Sequence, residues 1–331
     1  MQRIPAFVAR ATVALLIAAP LALGGCSKTT PTPPNPDCDG MNLLAFVSDR
    51  GQAAGQTKIY LYDLDQDGYR ALPSIDLAGP EHSPALANDR RSMAFVTNRA
   101  TGSDIVFYDR CTDRTLEVTD IITPFNEHDP AFSGDTQVLG FVRDTTGSQA
   151  RIRLFDGQAL KYLGMHAVDS LLSTGASQAG RPSLSQTANV VAFAANLGTG
   201  WDIFVYDRGP DTLRNVAFLN SAQDDVDPWM TPDGRYLVFA SNRPGGMGGY
   251  DLYLYDLSTH QPVPLPNLNS PMDDRQPTMS DDANFFVFSS TRGGGHGGWD
   301  LWNYARPTQT VAQRADESSG GDDIQPWYAH P

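Results

Sequence analysis

A proline followed eleven residues later by a phenylalanine recurs along this chain, and that recurrence constrains the fold more than any other feature. The pairs are Pro84/Phe95, Pro130/Phe141, Pro182/Phe193, Pro228/Phe239 and Pro277/Phe288. A sixth is split: Pro326 opens it, and Gly40 to Phe46 completes it. Gly40 then falls where Gly234 sits in the best-formed copy, Pro228-Trp-Met-Thr-Pro-Asp-Gly-Arg-Tyr-Leu-Val-Phe239. A repeat whose last copy is finished by its first residues describes a closed ring. Strand-like repeats of roughly 40–50 residues are the mark of a β-propeller. The expectation is an all-β, six-bladed propeller with four antiparallel strands per blade. The C-terminal strand around Pro326 should close it by pairing with the N-terminal strands of blade 1.

Each blade is written in the same order. The second strand is apolar throughout, as in Leu43 to Val47 and Tyr236 to Ala240, which suits a strand buried on both faces. The third recurs as Asp202-Ile-Phe-Val-Tyr-Asp207, with relatives at Asp104 to Asp109, Asp251 to Asp256 and Asp300 to Tyr304. The proline opens the first strand, and proline is tolerated on an edge strand because no N–H is needed there. That places the first strand innermost, beside the channel. Fourth strands are expected at Thr115 to Thr119 and Leu213 to Phe218.

Residues 1–25 read as a targeting segment. Arg3 and Arg10 make a basic start, and the apolar run Ala11 to Leu23 is short for a membrane span. Leu23-Gly-Gly-Cys26 resembles the lipobox of bacterial lipoproteins, which implies cleavage before Cys26 and its acylation; the alternative is an ordinary secretory signal. Ser27, in place of Asp, implies the outer membrane. Several acyl chains make a durable anchor. Residues 26–39 hold the run Thr29-Thr-Pro-Thr-Pro-Pro-Asn-Pro36, a stiff tether with nothing to bury. Residues 40–331 form the ring. Losing Arg3 and Arg10 takes the formal charge from −14 to −16, which argues against nucleic acid as a partner. In an oxidising compartment, Cys38 and Cys111 fall in turns on the same face of neighbouring blades. A Cys38–Cys111 disulfide is therefore expected, with two free thiols as the alternative.

The repeats resemble those of the TolB-type propeller family across the whole mature domain. Phe239-Ala-Ser-Asn-Arg-Pro-Gly-Gly246, followed by Gly248-Gly-Tyr-Asp-Leu-Tyr253, is also similar to repeats found beside OmpA-like domains. Neither a TolB-type N-terminal α/β domain nor an OmpA-like domain is expected here. The resemblance implies a periplasm-facing propeller used for binding.

Comparing blades separates candidate sites from blade-building residues. An acid stands three residues before the proline in five blades, as Glu81, Glu127, Asp225, Asp274 and Asp323; blade 4 has Ala179. These carboxylates are candidates for a ring at the channel mouth that selects a cation or a basic peptide. The alternative is that each caps its own turn. Four residues after the phenylalanine stands Arg50, Arg99, Arg243 or Arg292, while blade 3 has Thr145 and blade 4 has Leu197. Blade 4 lacks both groups, so acid and arginine are expected to pair within a blade. From the phenylalanine to the start of the third strand takes 13 residues in blades 5, 6 and 1, but 10 or 11 elsewhere. Those three neighbouring loops should raise a rim bearing Arg50, Arg243, Met247, Tyr250, Arg292, His296 and Trp299, residue types suited to an interface.

Catalytic motifs are missing: there is no Gly-x-Ser-x-Gly and no His-Glu-x-x-His. The nearest approach to a metal cluster is Glu81-His82 with Glu127-His128-Asp129, for a divalent cation such as calcium. Asp65-Gln-Asp67-Gly68 reads as a turn. No cofactor is expected. The function expected is a non-enzymatic, lipid-anchored envelope scaffold that binds a protein or peptide partner. A glycan-binding propeller is the first alternative. A metal-dependent polysaccharide lyase using His82 and His128 is the second.

Overall fold

The computed structural model describes residues 42–329, apart from 54, 76, 78, 101, 146–148 and 174–177. The targeting segment, the tether, Cys26 and Cys38 lie outside the described residues. Cys111 is disulfide-bonded.

Twenty-four described strands, numbered β1–β24 in chain order, form six four-stranded antiparallel sheets. Blade 1 is β24 (Asp323–Ala329), β1 (Leu43–Ser48), β2 (Lys58–Asp63) and β3 (Gly68–Arg70), from the axis outward. The expected closure is present: β24 pairs with β1 in the register Ala45↔Trp327 and Ser48↔Asp323. The other five blades are continuous in sequence. Their inner strands are β4 (Glu81–Leu86), β8 (Glu127–Phe132), β12 (Gln178–Leu184), β16 (Asp225–Met230) and β20 (Asp274–Met279). The one described α-helix, α1 (His166–Leu172), packs between blades 3 and 4.

The phenylalanines of the repeat, Phe46, Phe95, Phe141, Phe193, Phe239 and Phe288, are all 0% exposed. Each lies on a second strand sandwiched between blades, which is why those strands carry no polar face. Outer strands are shorter than expected. β7 is Arg114–Leu116 and β15 is Thr212–Leu213, because the following residues turn inward to feed the next blade. The hairpin before an outer strand is set by the aspartate ending the third strand. Asp109 accepts the amides of Cys111 and Thr112, and Asp63 those of Asp65 and Gln66, a side-chain-closed turn. Asp65 and Asp67 sit in that turn of blade 1.

The six prolines line the axis. The residue before each one bulges with a left-handed backbone: Ser83, Asp129, Arg181, Asp227, Gln276 and Gln325, at φ of 50, 49, 45, 55, 54 and 53°. The sheet register slips at that point in every blade. The residue after the proline is small in four blades, Ala85, Ala131, Ser183 and Thr278, and is Trp229 or Trp327 in the other two. The two indoles meet edge to face at 4.4 Å between ring centres and fill the space the small residues leave. The channel is thereby divided into two cavities of about 40 Å³ each, too small to thread a peptide.

Trp327 touches three of the apolar clusters between blades and donates Nε1–H to Leu86 O at 2.9 Å. Trp327→Ala should therefore cost about 3–5 kcal/mol, read as a lower denaturation midpoint. A midpoint unchanged in urea would show that the ring does not depend on this plug.

Candidate functional site

The five acids expected at the channel mouth are not a free anionic ring. Glu81, Glu127, Asp225, Asp274 and Asp323 are each 0% exposed. Each accepts the amide of a residue four positions earlier, as Asp225 does from Ser221 at 2.6 Å and Asp274 from Ser270 at 2.7 Å. Each also faces a cation: Arg243–Asp225 at 2.6 Å, Arg292–Asp274 at 2.5 Å, Arg50–Asp323 at 2.7 Å, Arg143–Glu127 at 2.8 Å and Lys58–Glu81 at 2.8 Å. A negative funnel for a cation or basic peptide is corrected accordingly, since these charges are spent inside the wall.

The cation completes a clamp. Arg243 Nη2 also donates to Leu219 O at 2.5 Å, in the loop entering the inner strand, while its Nε takes Ser241 Oγ. Its guanidinium lies over Phe239 and Tyr253, at 5.2 and 4.5 Å from the ring centres. Arg50 and Arg292 repeat this arrangement. Pairing within the blade thus holds in blades 1, 5 and 6. Arg99 departs from it: it pairs with Asp104 at 3.2 Å and with Glu117 near the surface. In blade 2 the cation is Lys58 of blade 1, which reaches Leu77 O at 3.0 Å. In blade 3 it is Arg143, two residues after Phe141, reaching Ile121 O at 2.6 Å. Blade 4 has no acid, yet Arg151 of blade 3 bonds Leu172 O in its entry loop.

Glycines in the long hairpins serve the same economy of space. Asp251 accepts the amides of Met247 and Gly248, and Asp300 that of His296 at 3.0 Å. The hairpin curls over its own third strand. A Cβ on Gly248 would lie 2.0 Å from Met272 O, and one on Gly297 2.1 Å from Gly321 O. The close approach is therefore to the next blade's backbone. The same junctions are latched by Tyr250 N–H to Asp273 at 2.8 Å and Trp299 N–H to Asp322 at 3.0 Å. Tyr250 also carries the Arg275 guanidinium 4.4 Å from its ring centre. Tyr250 and Trp299 thus hold blades together, whereas Met247 and His296 remain exposed on the rim. The Arg50, Arg243 and Arg292 side chains belong to the clamps rather than to the rim.

A belt that the residue pattern did not reveal runs around the axis. Gln325 Oε1 accepts Ser83 N–H at 2.7 Å, Asp129 accepts Arg181 N–H at 3.2 Å, Asp227 accepts Gln276 N–H at 3.3 Å, and Gln276 Oε1 accepts Gln325 N–H at 2.8 Å. Ser83 Oγ donates to Asp129 at 3.3 Å, and Arg181 pairs with Asp227 at 3.3 Å, closing the circle. The left-handed bulge turns each of these side chains toward its neighbour. Their chemical diversity hides the belt in the sequence; only the shared place before proline marks it.

The metal alternative does not assemble. Glu81 and Glu127 are turned into their clamps. His82 is bound to Ser83 Oγ at 3.0 Å and Asn98 Oδ1 at 3.1 Å, and burial holds its pKa low. His128 lies between Asp129 at 3.3 Å and Asp144 at 3.4 Å. Burial disfavours its charge, but the two carboxylates outweigh burial and push it up to about 9. Asp129 is itself held well below the usual carboxylate range despite burial, by His128 and Arg181. Among the described residues, no group of three or more His, Cys, Asp or Glu is placed to hold a metal ion.

No protein-family model matches the chain, and no curated protein sequence matches it. Solved structures do. TolB from Acinetobacter baumannii superposes with a TM-score of 0.68 at 18% identity, covering 88% of this chain and 67% of that one. A TolB-assigned protein from Agrobacterium tumefaciens gives 0.61 at 12% identity, over 88% and 98%. An oligogalacturonate lyase in complex with manganese gives 0.56 at 15% identity, over 80% and 72%. The chain has a TolB-like six-bladed propeller fold. Identities this low carry the fold alone, and an enzyme among the neighbours means that the fold selects no activity.

Two measurements test the geometry. Arg243→Ala leaves Asp225 buried without its cation and should cost about 3–5 kcal/mol, whereas Arg99→Ala should cost about 1 kcal/mol or less; equal losses in chemical denaturation would reject the clamp. Because the folded pKa of His128 is raised, its contribution to stability is complete below its unfolded value near 6.5 and is lost as pH rises through about 9. His128→Asn should therefore flatten the fall in melting temperature between pH 7 and pH 9.5. An unaltered slope would remove the ion pairs from the account.

Proposed function

We propose that this chain is a non-enzymatic, lipid-anchored cell-envelope protein whose propeller binds a protein partner on the face carrying the long hairpins of blades 5, 6 and 1. The observation that carries the reading is the exposure of Met247 and Met272, at 62% and 47%. They sit on adjoining loops of one rim, as the approach of Gly248 to the Met272 carbonyl requires. Methionine is soft and unbranched, and it suits a surface that must fit an irregular partner. The rim beneath them is rigid, because its aspartates and glycines are committed to the hairpins and to the next blade. A preorganised face keeps the ordering cost of association low.

The likeness to TolB structures supports an envelope role, and the lipobox-like Cys26 supports a lipid anchor in the outer membrane with the propeller facing the periplasm. Selection of a basic segment is not part of the proposal, since the acids that suggested it are inside the clamps. The Cys38–Cys111 bond belongs to it as the tie between tether and ring.

A photo-crosslinker at position 247 or 296, irradiated in living cells, should give a discrete heavier species. The same probe at position 112, on an exposed turn at the opposite face, should not. Absence of that species at both rim positions would overturn the reading.

A further inference from the structure

We propose that the seam between blades 3 and 4 is a binding site for a neutral oligosaccharide, built by Phe125, Asn126, His128, Asp144, Gln178 and Trp201. It is independent of the methionine rim, which lies on other blades.

The site exists because blade 4 departs from the repeat. Ala179 replaces the clamp acid and Leu197 the clamp arginine. Next to Ala179, Gly180 stands where the other blades carry His82, His128, Val226, Arg275 and Ile324. With no side chains to fill the seam, a cleft of about 610 Å³ opens on the face of the long hairpins, within the range of small-ligand sites. The Trp201 indole lies against Gly180: a Cβ there would meet the ring at 3.8 Å and Asp129 Oδ2 at 3.6 Å. Trp201 is fixed from behind by its amide, which donates to Asp224 at 3.0 Å. Across the cleft, Phe125 is 39% exposed.

The chemistry of the lining selects the ligand class. Two aromatic side chains offer flat apolar faces, which suit the C–H face of a sugar ring. Beside them stand planar groups that exchange hydrogen bonds in their own plane: Asn126 Nδ2 donates to Asp144 Oδ2 at 2.9 Å, and His128 Nε2 meets Asp144 Oδ1. The Asp144 carboxylate is 38% exposed and keeps lone pairs for a hydroxyl donor, while Gln178, also exposed, offers both donor and acceptor. The nearby cations are spent. In the cleft and the adjoining channel, His128, Arg181 and Arg275 are paired with the carboxylates Asp129, Asp144 and Asp227, while Asp224 beside Trp201 serves the Trp201 amide. An anionic ligand would meet carboxylates and no uncompensated cation among these groups, whereas a polyhydroxylated neutral one finds aromatic walls and planar hydrogen-bonding groups.

The test uses chitotetraose, cellotetraose and trigalacturonate with the folded protein, read by saturation-transfer NMR. Transfer to at least one of the two neutral sugars is expected, and weaker transfer to the anionic one. Chitotetraose against cellotetraose separates an N-acetylated wall-type glycan from a plain glucan, and either supports the site. Gly180→Val installs the residue that blade 5 carries at this place and sets a branched side chain against Trp201 and Asp129 at the edge of the cleft. It should weaken binding about tenfold or more, a loss of ~1.4 kcal/mol, without lowering the melting temperature. Trp201→Ala should do the same to binding, and Trp299→Ala should leave it unchanged. Binding to neither neutral sugar, preference for trigalacturonate, or binding that survives Gly180→Val would each overturn the proposal. Should Trp201→Ala fail to fold, Gly180→Val carries the test alone.

Discussion

The ring depends on a cation held against a backbone carbonyl at the loop entering each inner strand. Leu77, Ile121, Leu172, Leu219, Leu268 and Glu317 supply the carbonyls, and a lysine or arginine reaches every one. In five blades a fully buried acid completes the set. Removing a carboxylate from water is costly, and here the cost is offset by a cation and a backbone amide, and in four of the five also by aromatic faces under the guanidinium. The entry loop carries the main chain from one blade to the next. Fixing it fixes the angle at which successive blades meet, and so whether six of them close.

Within that frame the axis is plugged rather than open. The prolines, the belt of pre-proline side chains and the Trp229–Trp327 pair occupy it in successive layers. The belt keeps non-glycine residues in a left-handed backbone six times over, and such a conformation persists only where its surroundings enforce it. Each bulged residue is enforced by its neighbour in the next blade. Open surface is thus left to the loops and seams of a face. There the two halves differ: long hairpins on blades 5, 6 and 1, with exposed methionines where blades 5 and 6 meet, and an aromatic cleft where blade 4 omits the clamp acid.

Much of this was legible in the residues, and the rest was hidden for identifiable reasons. The Pro/Phe spacing disclosed the blades because both residues have one job each: a strand edge beside the axis, and a buried face between sheets. The joint loss of acid and arginine in blade 4 disclosed their pairing for Arg50, Arg243 and Arg292. It could not disclose Lys58 or Arg143, which bring the same charge to the same kind of carbonyl from different positions along the chain. Arg99 kept the sequence position and lost the job. The acids looked like a mouth because repetition around an axis suggests a ring, but burial, invisible in sequence, turned them inward. The cleft beside Trp201 is made by absent side chains, and an absence announces itself only once its surroundings are in place.

Closure through blade 1 also sets how the ring bears load. With any disulfide between Cys38 and Cys111 reduced, a pull on the chain ahead of Asn42 enters at β1, which is the second strand of its blade. It is hydrogen-bonded along one edge to β24 and along the other to β2. Force along β1 must shear both ladders together rather than peel one strand from an edge. Arg50, just past β1, is fastened to Asp323 and Glu317, so the strain passes at once into the segment that leads to β24. A propeller entered by an outer strand would unzip from the rim under tension. This one meets tension with the part of the ring where its two chain termini are already joined.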